Sequence, residues 1–213
     1  MTSHEPASGI LFVVAAPSGA GKTSLVHGLL DQVDDIALSV SHTTRPRRAT
    51  EVNGQDYWFV DSARFQEMIA AEAFLEYAEV FGNCYGTSRH SVETALHQGK
   101  DVLLEIDWQG AQQVRHNFAE AVSIFILPPS RETLVQRLRQ RGQDQPEVID
   151  RRTRKAVEEM SHFGEFDYLV VNDDFNLALE EMACIVRAER LRQFRQRRHL
   201  QSLLSQLLQQ EPS

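Results

Sequence analysis

The chain has 213 residues, 42% hydrophobic and 24% charged, a composition that fits one folded domain and excludes collagen-like, coiled-coil-only and disordered classes. No apolar run approaches the ~20 residues that cross a bilayer, and the first residues lack a basic segment followed by an apolar one, so a cytoplasmic protein without a membrane partner is expected. A formal net charge of -8, from 22 Lys and Arg against 30 Asp and Glu, argues against nucleic acid as a partner.

The cations are unusual in kind. All but Lys22, Lys100 and Lys155 are arginines, most of them gathered at 45–48, 131–154 and 187–198, and arginine is the side chain whose planar fork grips phosphate in two places. Small phosphorylated ligands are therefore expected. Cys84 and Cys184 stand alone, without zinc-type spacing, and are read as unbridged thiols. The eight histidines are scattered and show no helical metal-site spacing. Nothing in the chain fixes or forbids a homo-oligomer.

In chain order, the apolar run at 10–15 predicts a buried strand, and Leu25, Val26, Leu29, Leu30 and Val33 repeat behind it at helical spacing. Between them lies Ala16-Pro17-Ser18-Gly19-Ala20-Gly21-Lys22-Thr23-Ser24, a phosphate loop in the strand, loop, helix context it requires. The glycines let successive amides point at phosphate oxygens, Lys22 bridges the β and γ phosphates, and Thr23 or Ser24 offers a hydroxyl to magnesium. Ala16 stands where the pattern has its first glycine.

Residues 41–90 break the rhythm of strand and helix. A strand at 56–60 follows the turn signal Asn53-Gly54, a short helix runs from 61 or 62 to about 73, and a second strand covers 75–81, which together read as an inserted, strand-rich subdomain. The run 102–106 predicts another buried strand. Glu105 and Asp107, two residues apart, then point to one face at its C-terminal end, where ligands of open α/β sheets bind. Glu105 falls where a Walker B acid holds the metal's water shell; Asp107 either reaches toward a second ligand or caps the next helix.

A further strand at 123–127 leads into a charged, mostly helical excursion over 130–163, where Leu134 and Leu138 mark a helix and 141–146 reads as a mobile flap. Gly99 and Gly142 sit where helices stop. The last strand is 168–171, and from Asn176 the chain reads as one long helix, its Arg187 to Arg198 face basic. Alternation of strand and helix gives an α/β fold with a parallel-sheet core flanked by helices. The single domain 1–213 divides into a core at about 9–40, 91–129 and 164–213, the inserted subdomain at about 41–90 and a helical lid at about 130–163.

Five ordered segments, Ser39 to Arg48, Glu51 to Tyr57, Phe74-Leu75-Glu76, Gly82 to Thr87 and Glu105 to Gly110, resemble guanylate kinase of the bacterial type, a P-loop nucleoside monophosphate kinase, over roughly 9–198. The resemblance implies phosphoryl transfer from ATP to GMP, with Mg2+ as the cofactor carried by ATP. It implies that Arg45, Arg48, Tyr57 and Tyr85 grip the GMP phosphate. Two forks would neutralise the dianion, and two phenols would add directional donors.

It further implies that Glu76 and Asp107 accept from guanine N1–H and N2–H₂, with the Ser41 and Thr87 hydroxyls toward O6 or N7. Adenine would leave such acids unpaired. In the lid, Arg137, Arg141 and Arg152 match positions that close over the ATP phosphates, with solvated helix faces as the bland reading. Asn172-Asp173 resembles the family's adenine-side loop. Thr50, Cys84 and Glu105 depart from the family's commoner residues without removing a needed group. Two other classes compete: a catalytically silent peptide-binding relative, disfavoured by Lys22, and a GTPase switch suggested by Asp107 to Gly110, disfavoured by the lack of an Asn-Lys-x-Asp guanine motif.

Overall fold

The computed structural model describes residues 9–80, 82–140 and 146–209. In chain order the core opens with β1 (Leu11–Ala15), α1 (Lys22–Gln32) and β2 (Ile36–Leu38). The insertion follows with β3 (His42–Thr43), β4 (Trp58–Phe59), α2 (Ser62–Ala70), β5 (Phe74–Val80) and β6 (Asn83–Ser88). The chain then returns through α3 (Arg89–His97), β7 (Asp101–Glu105), α4 (Trp108–Asn117) and β8 (Val122–Leu127). Next come α5 (Arg131–Gln140), α6 (Pro146–Ser161), a 3-10 turn (His162–Glu165), β9 (Tyr168–Val171), α7 (Phe175–Arg190), α8 (Gln193–His199) and α9 (Gln201–Leu207).

Every residue of β1 is buried, as a central strand covered on both faces must be. It pairs in parallel with β7 and β8, in a five-stranded sheet ordered β2-β7-β1-β8-β9. One apolar cluster, with Phe12, Val14, Leu25, Leu29, Met182 and Val186, fills the face under α1 and α7. Another, with Leu11, Val13, Leu96, Leu104 and Val114, fills the face under α3 and α4. Val14 lies opposite Glu105, so the loop after β1 and the acids after β7 leave the sheet side by side.

The insertion forms its own four-stranded sheet, ordered β4-β3-β6-β5. β2, β3 and β6 were not expected as strands. β2 and β3 are three and two residues long, too short to show a period. β6 carries Gly86 and the polar Asn83 and Ser88, and owes its strand conformation to pairing with β5. The helix expected from 61 or 62 begins at Ser62, with the Asp61 carboxylate accepting from Arg64 N–H at 2.7 Å.

The tail differs from the single helix expected. It breaks at Leu191 and Arg192, where the backbone turns extended (Arg192 φ -54°, ψ 134°), and continues as α8 and α9. Arg192 is pulled back onto buried Glu189 at 3.0 Å, and Glu189 also accepts from the Tyr168 hydroxyl at 2.6 Å, so the break is tied to the sheet. Among the described residues, no helix is long and apolar enough to cross a membrane.

Candidate active site

β1 delivers the chain into a loop whose Gly19 and Gly21 take φ of 92° and 91°, backbone that side chains resist. α1 starts at Lys22, so loop amides and the positive helix end face one cavity lined by Ala16, Pro17, Ser18, Gly19, Gly21, Lys22 and Thr23. Ala20 is buried beneath it, and Ser24 is exposed on the first turn of α1. Of the two candidate hydroxyls, Thr23 is the one that meets Glu105, donating at 2.6 Å. Lys22 Nζ donates to the Ile106 carbonyl at 2.7 Å. Burial pushes its ammonium below the usual lysine range, while Glu105 and Asp107 pull it back up.

Asn172, expected in the adenine-side loop, follows the last residue of β9. It is buried, and its amide donates to Ala20 O at 2.7 Å, so it braces the phosphate loop from beneath. A Cβ on Gly21 would come within 2.3 Å of that amide nitrogen, so the brace and the glycine require each other. Arg137 on α5 donates to Asn172 O at 3.1 Å, and a second, buried nitrogen finds no partner among the described residues. Asp173 is exposed, Arg152 is half-buried on α6, and Arg141 lies outside the described residues.

A second cavity, of about 220 Å3, opens beside the first and shares Lys22 and Val80 with it. Ser41, Tyr57, Glu76, Tyr85, Glu105 and Asp107 line it. At one end the rings of Tyr57 and Tyr85 meet edge to face at 5.9 Å, and the Arg45 guanidinium lies 5.4 Å from the Tyr57 centroid. Arg45 pairs with Glu51 at 2.6 Å, and the other Glu51 oxygen accepts from Arg48 N–H at 2.8 Å. The hydrogen bond from Arg45 holds the Glu51 carboxyl below its ordinary range. The Arg48 side chain is exposed on the same loop.

At the other end sits Glu76, buried to 4% exposure, accepting from the Thr87 hydroxyl at 2.5 Å. Desolvation pushes its carboxyl up to about 7, the Thr87 hydrogen bond opposes this, and the Asp107 charge adds to it. Thr87, expected toward O6 or N7, is fully buried, and its hydroxyl donates to Glu76. One Asp107 oxygen caps α4 through Gly110 N–H at 2.9 Å, and the residue also lines the cavity.

Gly110 faces Glu76 so closely that an added Cβ would meet Oε2 at 2.6 Å. Gly110→Ala would normally gain about 1 kcal/mol of helix propensity. Here we expect net destabilisation of about 1–2 kcal/mol in denaturant melts, because the buried Glu76 carboxylate must move.

Sequence reasoning gave Glu51 no role, although a carboxylate inside a cationic loop was a usable signal. It also gave none to Glu159 on α6, which accepts from Ser18 N–H at 3.0 Å, and nothing in the lid's crowded charge pattern singled it out.

Two adjoining anion-receptive walls with a lysine between them suit the passage of a phosphoryl group from one nucleotide to another, and the phosphate loop on a parallel sheet makes this a P-loop kinase fold. The family model described as guanylate kinase matches residues 8–189. The guanylate kinase of Methylococcus capsulatus is 60% identical over 94% of this chain and 98% of its own length. That of Escherichia coli K12 is 56% identical over 95% and 99%. The crystal structure of guanylate kinase from Anaplasma phagocytophilum superposes with a TM-score of 0.74 at 35% identity, covering 89% of this chain and 90% of that one. The chain belongs to the guanylate kinase family. It is an ATP:GMP phosphotransferase, forming ADP and GDP.

Proposed function

We propose that the two cavities divide the substrates between them, with the ATP phosphates on the 16–24 loop and GMP in the cavity between Tyr85 and Glu76. The observation that carries this reading is that Lys22 lines both cavities, so its charge lies where the transferring group must pass. Arg45, Arg48, Tyr57 and Tyr85 hold the GMP phosphate, and Glu51 keeps Arg45 extended along the pocket wall until that dianion arrives. Glu76 and Asp107 accept from the guanine N–H donors, with Ser41 as the hydroxyl beside them. Thr87 orients Glu76 instead of touching the base.

The acceptor needs no general base. A phosphomonoester has its second pKa near about 6, so the attacking oxygen is already ionised at neutral pH. Catalysis then consists of holding two phosphates in line and neutralising charge as it develops, by Lys22 and by Arg137, Arg141 and Arg152 of the lid. Asn172 contributes by keeping the loop amides aimed, with Asp173 beside it at the adenine end. Lid helices over the loop exclude water and so limit hydrolysis of ATP.

Thr23 and Glu105 fit Mg2+: they bring a hydroxyl and a carboxylate together at 2.6 Å, a small all-oxygen set suited to an ion that keeps water and takes other ligands from phosphate. Bound there with ATP, the ion would neutralise charge on the phosphate oxygens. Two unbridged cysteines, Cys84 and Cys184, support a cytoplasmic setting.

The test is ADP formation from ATP in a coupled assay with GMP, AMP, CMP or UMP as acceptor. We expect kcat/KM for GMP to exceed that for AMP by at least about a thousandfold, as polar base readers allow. Equal rates with AMP would overturn the assignment of Glu76 and Asp107.

A further inference from the structure

The donor cavity is lined by one carboxylate, and the phosphoryl transfer above does not use it. Glu159, near the end of α6, accepts from Ser18 N–H at 3.0 Å and lines the same cavity as Gly19, Gly21, Lys22 and Thr23. That amide belongs to the loop whose N–H groups face phosphate oxygens, so a carboxylate oxygen already occupies part of an anion cradle. The placement is rigid. Ala156 and Met160 on α6 pack with Leu134 and Leu138 of α5, and those two leucines rest against Gly19, with Leu134 Cδ1 3.1 Å from where its Cβ would be. Burial pushes the Glu159 carboxyl above its usual range, while the Ser18 hydrogen bond, Lys155 and Lys22 oppose the shift.

We propose that Glu159 is a stand-in anion of the donor site, holding the phosphate loop closed to other anions until a triphosphate displaces it. The inference rests on the assignment of ATP to the 16–24 loop. A carboxylate and a phosphate oxygen cannot share the Ser18 amide, and like charges at such range in a partly dry cavity repel. Donor binding is thus an exchange of one anion for another. The outgoing anion is a side chain of the lid, so Glu159 leaves the Ser18 amide as ATP arrives, and it tunes donor affinity at the expense of tightness.

The experiment is calorimetric titration of the full chain with Mg-ATP, with inorganic tripolyphosphate and with GMP, for the wild type, Glu159→Gln and Glu159→Ala. The alanine variant should bind ATP and tripolyphosphate about tenfold more tightly, the loss of one charge-assisted hydrogen bond and one like-charge contact. The glutamine variant, which keeps a neutral acceptor, should fall between alanine and wild type, and GMP affinity should not change. Unchanged or weaker ATP binding in either folded variant would overturn the proposal, as would a gain for ATP that tripolyphosphate does not share. If the alanine variant does not fold, the isosteric glutamine variant carries the test. Failure of the wild type itself to bind ATP would instead remove the phosphate-loop assignment.

Discussion

Lys22→Ala should lower kcat for GDP formation about a thousandfold, the scale seen when a single donor to developing charge is removed. The Nζ lies 2.7 Å from the Ile106 carbonyl on the floor between the two cavities, with Glu105 and Asp107 close enough to act on its charge. Truncation leaves that carbonyl without its donor and the acids without their cation, a cost of about 1–3 kcal/mol. For a chain of this length that amounts to a fall in Tm of about 2–12 °C, so thermal melts will separate lost chemistry from lost fold. Arginine should not restore turnover, because a planar fork cannot replace a compact ammonium in a buried spot shaped for one. Retention of a tenth of the activity in Lys22→Ala would show that the positive charge on the transferring group comes from elsewhere.

Glu76→Gln should reduce kcat/KM for GMP by about a hundredfold or more and narrow the preference over AMP, since an amide presents one acceptor and one donor where guanine needs acceptors only. The same substitution has an opposite effect on stability. With its carboxyl pushed up to about 7 by burial, folded Glu76 holds a proton between pH 4.5 and about 7 that the unfolded chain has released. Its contribution to stability therefore falls as pH rises through that window and is fully unfavourable above it, by about 3 kcal/mol. Glutamine does not titrate. Relative to wild type, Glu76→Gln should gain Tm between pH 5 and pH 8, while the wild-type KM for GMP rises as pH drops below 7 and Glu76 loses an acceptor. A Tm difference that does not move with pH would place the ionisation outside this pocket.

That opposition explains why such a residue was only half legible in the sequence. The phosphate loop was legible because strand, glycines, lysine and helix are local, and local chemistry survives in one dimension. The four apolar strands were legible for the same reason. What the sequence could not show were side-chain partnerships between distant segments: Asn172 with Ala20 is separated by 152 residues and Glu159 with Ser18 by 141. Thr87 illustrates the same limit, since nothing local announces that its hydroxyl meets the Glu76 carboxylate of the neighbouring strand at 2.5 Å. The break after α7 was hidden because Leu191 and Arg192 are ordinary helix formers. It arises from the pull of buried Glu189 on Arg192, a tertiary contact that overrides propensity.

The most direct measurement is a crystal structure with GMP, magnesium and a non-hydrolysable ATP analogue bound together. The terminal phosphorus should lie in line with a GMP phosphate oxygen at about 3–3.5 Å, with Lys22 between the 16–24 loop and the Arg45–Tyr85 pocket. Either nucleotide bound outside its cavity, or the two phosphates held apart with the lid closed, would contradict it.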